Sequence, residues 1–320
     1  MSEVALPRLG VGTAAIGNLY APVSDADAEA TTRAAIDAGI SYFDTAPFYG
    51  FGLAERRLGA ALGNRPVVIS TKVGRLLEPT DARGERHGYV DADPFEPRFD
   101  YGADAVRRSH ESSLARLKRD RVNILLAHDL GRETHGDDHP LHLRAFLDGG
   151  YRAMRDLRDA GAIDAIGIGV NEIAVCLEVI DRVELDVILL AGRYTLLDRS
   201  AADRLLPECE RRGIRLIVGG PYNSGILARD DLGQAEQLHY NYARAPAETV
   251  ARARRLAALC ARFGVSLPAA ALQFPLRDKN VATVIAGVAK ENEVRDLVAR
   301  AAADIGEDVW TALREEESVG

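Results

Sequence analysis

Short apolar runs rich in β-branched residues alternate along the chain with longer stretches whose apolar positions recur at helical spacing. The runs are LGVGT (9–13), SYFDT (41–45), VVISTKV (67–73), VNILLAHD (122–129), IDAIGIGV (163–170), LDVILLAG (185–192), IRLIVGG (214–220) and TVIAGV (283–288). Their apolar residues are nearly continuous rather than alternating, as in strands buried on both faces of a parallel sheet. Between them lie helical patterns. Residues 24–39 begin with Ser24, a good N-cap, carry acids in the first turn and stop at Gly39. Residues 101–120 place Ala105, Ser109, Ser112, Leu114 and Leu117 at helical spacing. GGYRAMRDLRDAGAI and RSAADRLLPECERRGI each read helix, glycine, strand.

Eight such units predict an α/β fold, a single (β/α)8 TIM barrel spanning residues 1–320. An open doubly wound sheet would want a G-x-G-x-x-G turn after the first strand, and the glycines at 10, 12 and 17 miss that spacing. Three connections, 74–100, 130–149 and roughly 221–246, are too long for simple turns. Each follows a strand, so all three belong to the barrel end where such enzymes keep their sites, as pocket walls.

Strand ends at that face carry an unusual polar set. Asp44 and Tyr49 follow the second strand, Lys72 ends the third, His128 closes the fourth, Asn171 follows the fifth, and Arg193 and Tyr194 follow the sixth. A free phenol titrates near ~10 and is a poor base at neutral pH. A neighbouring ammonium favours the phenolate, so Lys72 would tune Tyr49, Asp44 would hold Lys72, and His128 would orient a substrate oxygen. Taken singly, Asp44 reads as a loop acid, Tyr49 as an edge aromatic and Asn171 as a helix cap. Their joint occurrence at strand ends favours chemistry.

The bulk numbers narrow the partners. A net charge of −8 argues against a nucleic-acid partner. Cys176, Cys209 and Cys260 are odd in number and form no CxxC pair, so the expectation is a reducing, cytoplasmic setting. The N-terminus carries an acid and no long apolar core, so no signal peptide is expected, and no apolar run reaches membrane-spanning length. His135-x3-His139-x2-His142 has a spacing that invites a metal. GDDHP is turn-like, however, and these histidines are read as a solvated or substrate-facing loop, with no metal expected. ERRLGAALG and RAMRDLRDAG read as solvated outer helix faces, and REEESVG as a fraying C-terminal helix.

FDTAPFYG, STKVG, LLAHD and GVNE together resemble the aldo-keto reductases, nearly along the whole chain. The resemblance implies a (β/α)8 barrel that binds a nicotinamide dinucleotide without a Rossmann domain. It implies that Asp44, Tyr49, Lys72 and His128 are the catalytic tetrad. LLAGRYTLLD and GGPYNSGILA resemble the branch of L-fucose dehydrogenase and D-threo-aldose 1-dehydrogenase, with pyridoxal 4-dehydrogenase a near relative. By that resemblance Asn171 holds the carboxamide, Tyr194 stacks on the nicotinamide, and Asn223, Ser224, Gly225 and Leu227 line the pyrophosphate. Gly287, Lys290 and Asp296 fall in the region of the adenosine end.

Departures from the family pattern are Val170 and Ala191, where Ser and Gln are common, and Glu293, where Arg is common. The acids after the eighth strand predict NAD over NADP. The expected substrate is a small free aldose oxidised at its anomeric hydroxyl, with pyridoxal, or an aldehyde or ketone, as the alternative. His87, Tyr89 and His139 are the loop candidates for reading substrate hydroxyls. A redox-sensing binding subunit is the reading from another class. No oligomeric state follows from the sequence.

Overall fold

The continuous apolar runs form eight parallel strands because each has a core on both sides. A computed structural model describes residues 4–234, 238–241 and 243–318. The strands are β1 (Leu9–Gly12), β2 (Tyr42–Asp44), β3 (Val68–Val73), β4 (Ile124–His128), β5 (Ala165–Val170), β6 (Val187–Ala191), β7 (Arg215–Gly219) and β8 (Val281–Gly287). They pair in sequence order, and β8 returns to β1 with Leu9 opposite Val284, which closes the barrel. Along β4, Ile124 and Leu126 point into the barrel and pack with Tyr42, Val187, Leu189 and Ile285, while Leu125 and Ala127 face the outer helices. Two buried faces thus explain why alternation is missing from the sequence.

The outer layer follows the helical patterns. Ser24 caps the helix Asp25–Asp37 by accepting the Asp27 N–H at 3.0 Å. In the helix Ala103–Leu117 the inward stripe runs through Ala105, Ser109, Ser113 and Leu117, and Ser112 is exposed, one position off the expected face. The helix Leu53–Leu62 is also less solvated than its charges suggest. Glu55 is fully buried, with Thr71 Oγ1 and Arg116 Nε each donating to it at 2.6 Å. This network ties two helices to β3 beside Lys72. Glu55→Ala should cost about 3–5 kcal/mol, because it strands Arg116 and Thr71. Urea unfolding of the two proteins checks it; equal midpoints would mean the network contributes nothing.

The long connections are more ordered than their composition suggests. Residues 74–100 hold an antiparallel pair, Arg75–Pro79 against Phe95–Phe99. Residues 130–149 hold the helices Arg132–His135 and His139–Ala145. Residues 221–246 hold a short pair, His239–Tyr240 with Ala243–Arg244; positions 235–237 and 242 lie outside the described residues. The helix Glu307–Ser318 buries Val309, Trp310 and Leu313, and residues 319–320 of the expected frayed tail also lie outside the described residues. Among the described residues no single helix is long and apolar enough to cross a membrane.

Candidate active site

β2 and β3 are neighbours in the barrel, with Asp44 opposite Ser70, so the two strand ends bring Asp44 and Lys72 together. Lys72 is buried and projects into the barrel, where Gly169 leaves it room: a Cβ at 169 would stand 3.2 Å from Lys72 Cε. The ammonium has three donors and uses all of them. It donates to Asp44 Oδ2 at 2.7 Å, to the Thr45 carbonyl at 2.9 Å and to the Tyr49 hydroxyl at 3.1 Å. Ser70 Oγ donates to the other Asp44 oxygen at 2.7 Å. The carboxylate is therefore held from two sides, and the ammonium is aimed at the phenol.

Tyr49 sits on the turn after β2, and the backbone fixes it there. Gly50, Phe51 and Gly52 all have positive φ, at 63°, 56° and 103°. Gly50 lies so close to the neighbouring turn that a Cβ would meet the Gly17 carbonyl oxygen at 2.4 Å. Only glycine fits both demands. The phenol ring meets His128 edge-on, with centroids 5.9 Å apart. His128 ends β4, and its backbone carbonyl accepts the Tyr101 hydroxyl at 2.6 Å. Burial pushes its imidazole down to about 3, so the ring is neutral at any working pH. Its Nδ1 is buried and finds no partner among the described residues.

Tyr49, Lys72 and His128 open into a cavity of about 440 Å³, also walled by Phe48, His87 and Tyr89. Asp44 lies behind Lys72. Of the loop residues expected to read substrate, His87 and Tyr89 reach this cavity and His139 does not. His139 is buried, with Nδ1 on the Leu130 carbonyl and Nε2 on Glu178, each at 3.0 Å. His135 is buried as well: it bonds Tyr101 at 2.9 Å and packs on the His142 ring at 4.1 Å. These side chains are neither solvated nor substrate-facing. Burial and the neighbouring cations lower His135 to about 4.

Asn171 lines the cavity, and its amide makes no hydrogen bond among the described residues. The cap of the following helix falls to Glu172 instead, whose carboxylate accepts the Glu133 N–H. Tyr194 is a correction. Its ring packs on Phe274 at 5.3 Å and borders a separate hollow of about 610 Å³ with Arg199 and Trp310, away from the cavity. Leu227 is a second correction: it is fully buried in the core, and its N–H is committed to the Tyr222 carbonyl.

Asn223, Ser224 and Gly225 form a left-handed turn after β7, and Asn223 Oδ1 is buried without a partner among the described residues. Gly287 ends β8 in open space, with nothing among the described residues within 4 Å of where a Cβ would stand. Lys290 and Asp296 are both exposed, at the start and in the middle of the helix Glu291–Ala302. An unpaired amide at β5, an orphaned acceptor after β7 and an open glycine on β8 fit an elongated polar ligand such as a nicotinamide dinucleotide.

Sequence reasoning missed Asp129 and Arg75. Asp129 lines the cavity and pairs with Arg75, whose guanidinium lies 3.8 Å from the centroid of Phe48. The available signal was a second ionisable residue directly after the strand-ending histidine.

This arrangement, a closed eight-stranded barrel with a buried Asp–Lys–Tyr chain and a histidine at one mouth, is that of a barrel oxidoreductase. Residues 8–317 match the aldo/keto reductase family. The chain is 43% identical to pyridoxal 4-dehydrogenase of Microbacterium luteolum, over 98% of this chain and 94% of that protein. It is 38% identical to D-threo-aldose 1-dehydrogenase of a Pseudomonas species, with the same coverage. The solved holo form of aldo-keto reductase AKR11C1 from Bacillus halodurans superposes with a TM-score of 0.74 at 25% identity, covering 97% of this chain and 92% of that one. The protein belongs to the aldo/keto reductase family. Members of that family work with a nicotinamide cofactor, NAD(P)H.

Proposed function

We propose that the protein is an NAD(P)-dependent dehydrogenase that oxidises the anomeric C1 hydroxyl of a free aldose to the lactone, with the whole chain forming one barrel domain. The observation that carries this reading is the single ammonium of Lys72, bonded at once to Asp44, the Thr45 carbonyl and Tyr49. Tyr49, as phenolate, takes the proton of the C1 hydroxyl. Lys72 stabilises the phenolate, and Asp44 with Thr45 keeps Lys72 in place. Neutral His128 donates to the reacting oxygen and fixes its position. The cofactor, when bound, supplies the hydride acceptor; Asn171, the Asn223–Gly225 turn and Gly287 would hold it. The buried free thiols support a reducing, cytoplasmic setting.

The aldose assignment draws on the similarity to D-threo-aldose 1-dehydrogenase. The similarity to pyridoxal 4-dehydrogenase favours a second reading, oxidation of pyridoxal, whose hemiacetal presents the same reacting group. Purified protein is assayed with NAD+ or NADP+ against L-fucose, L-galactose, D-arabinose and pyridoxal. Turnover of pyridoxal alone replaces the first reading by the second. Turnover of none leaves carbonyl reduction or a binding subunit, which assays with NAD(P)H and simple aldehydes separate.

For the cofactor, NAD+ should be preferred over NADP+. A 2′-phosphate wants a cluster of cations. In this loop Glu293 instead accepts the Ala289 N–H at 2.7 Å, and Arg295 is already paired with Glu291 at 2.8 Å. The ratio of kcat/KM for the two cofactors at fixed aldose tests this, and a preference for NADP+ overturns it. Glu293→Gln keeps an oxygen for the Ala289 N–H and removes the charge, so it should narrow the preference.

A further inference from the structure

Asp129 is the ionised cavity residue that the chemistry above leaves without a task. It follows His128 directly and takes a φ of 46°, a left-handed conformation that aspartate adopts only at some cost. The surroundings hold it there: its N–H donates to the Gly169 carbonyl at 2.9 Å, and its own carbonyl accepts the Tyr101 hydroxyl at 3.3 Å. The turn brings the carboxylate back over the cavity. Oδ2 accepts from Arg75 at 2.5 Å and lies 3.5 Å from His128 Nε2. Oδ1 accepts no hydrogen bond among the described residues.

Arg75 cannot easily leave. It is only 8% exposed and is clamped between Phe48 at 3.8 Å and Phe99 at 5.0 Å. Burial pushes the Asp129 carboxyl up, while the charge and hydrogen bond of Arg75 and the more distant charge of Lys72 pull it down and favour the carboxylate. A desolvated ion pair of this kind adds little net stability compared with apolar packing. A carboxylate held rigid in the cavity wall, with one oxygen left without a donor among the described residues, is suited to recognition.

We propose that Asp129 is a specificity-determining residue whose open oxygen accepts a hydrogen bond from a hydroxyl on the carbon next to the reacting one. This rests on the proposed roles of Tyr49 and His128, which fix the reacting oxygen. With that oxygen on His128 Nε2, the carboxylate is its neighbour on the cavity wall: the Arg75-bound Oδ2 stands 3.5 Å from that nitrogen, so a hydroxyl on the adjoining carbon comes within reach of the same carboxylate. A neutral hydroxyl there makes a charge-assisted bond. Pyridoxal carries its ring oxygen one carbon further away, and as a phenolate it is repelled. The site therefore selects 2-hydroxy hemiacetals, the aldoses.

The test compares kcat/KM for an aldose and its 2-deoxy form, such as L-fucose and 2-deoxy-L-fucose, in the wild type, Asp129→Asn and Asp129→Ala. The wild type should favour the aldose by about 10- to 100-fold, as expected for a hydrogen bond to a charged group. In Asp129→Asn, Arg75 draws the amide oxygen and leaves the NH2 facing the hydroxyl. That NH2 can still donate to the hydroxyl, but the charge is gone, so the preference should shrink several-fold, with the aldose losing more than its 2-deoxy form. Asp129→Ala should do the same if it folds; Asp129→Asn decides if it does not. An equal loss on both substrates, or a wild type indifferent to the 2-hydroxyl, overturns the proposal and leaves the proposed activity standing. A wild type that turns over pyridoxal and no aldose overturns the aldose reading itself, and this selection with it.

Discussion

Tyr49→Phe should cut turnover by about 10²–10⁴-fold, the usual contribution of a general acid–base group, with little change in affinity for the nicotinamide cofactor. The substitution removes one oxygen and nothing else. The ring keeps its edge-on contact with His128, and the Gly50–Gly52 turn that fixes the residue is untouched. Lys72 loses the partner at 3.1 Å and keeps Asp44 and the Thr45 carbonyl, so the ammonium stays where it is. The proton of the substrate hydroxyl then has no acceptor. Steady-state kcat with an aldose, beside cofactor titration by fluorescence, reads the two quantities separately. Near wild-type turnover removes Tyr49 from the chemistry. A parallel loss of cofactor binding would show that the hydroxyl is structural.

The barrel was legible because burial on both sides writes itself into eight uninterrupted apolar runs. Asp44, Tyr49, Lys72 and His128 were legible because a barrel points its strand ends at one mouth, where four reactive residue types have little structural reason to gather. What escaped the sequence depends on where the chain turns after a strand. Tyr194 lies three residues beyond β6, but Gly192, at φ 70°, redirects the chain, and the ring ends against Phe274. Asp129 escaped for the converse reason. Strand alternation would send it away from His128, and its left-handed backbone returns it to the cavity. The histidines of 135–142 mimic a ligand spacing, yet the Leu130 carbonyl and Glu178 satisfy His139, and Tyr101 bonds His135. Side-chain type and spacing carry no trace of such local partners.

Lys72→Met should move the rising limb of the pH–rate profile for aldose oxidation to higher pH. The limb reports formation of the phenolate, because only the deprotonated Tyr49 can accept the hydroxyl proton. A cation beside a phenol favours the charged form, and an anion disfavours it. The wild-type site has the Lys72 ammonium 3.1 Å from the phenol oxygen, with Asp44 on the far side of that ammonium. Removing Lys72 takes away the favourable charge and leaves the Asp44 carboxylate uncompensated, so both changes act in the same direction. His128 does not supply the limb, since burial holds it down to about 3 and it stays neutral throughout the range. Lys72→Arg, which keeps a charge, should shift the limb less than Lys72→Met. The double variant Lys72→Met with Asp44→Asn should recover part of the shift, because the lone buried carboxylate is gone. Thermal unfolding of each variant separates a displaced limb from a damaged barrel. A limb that stays in place in measurable residual activity would assign the titration to a group other than Tyr49, and with it the proton transfer.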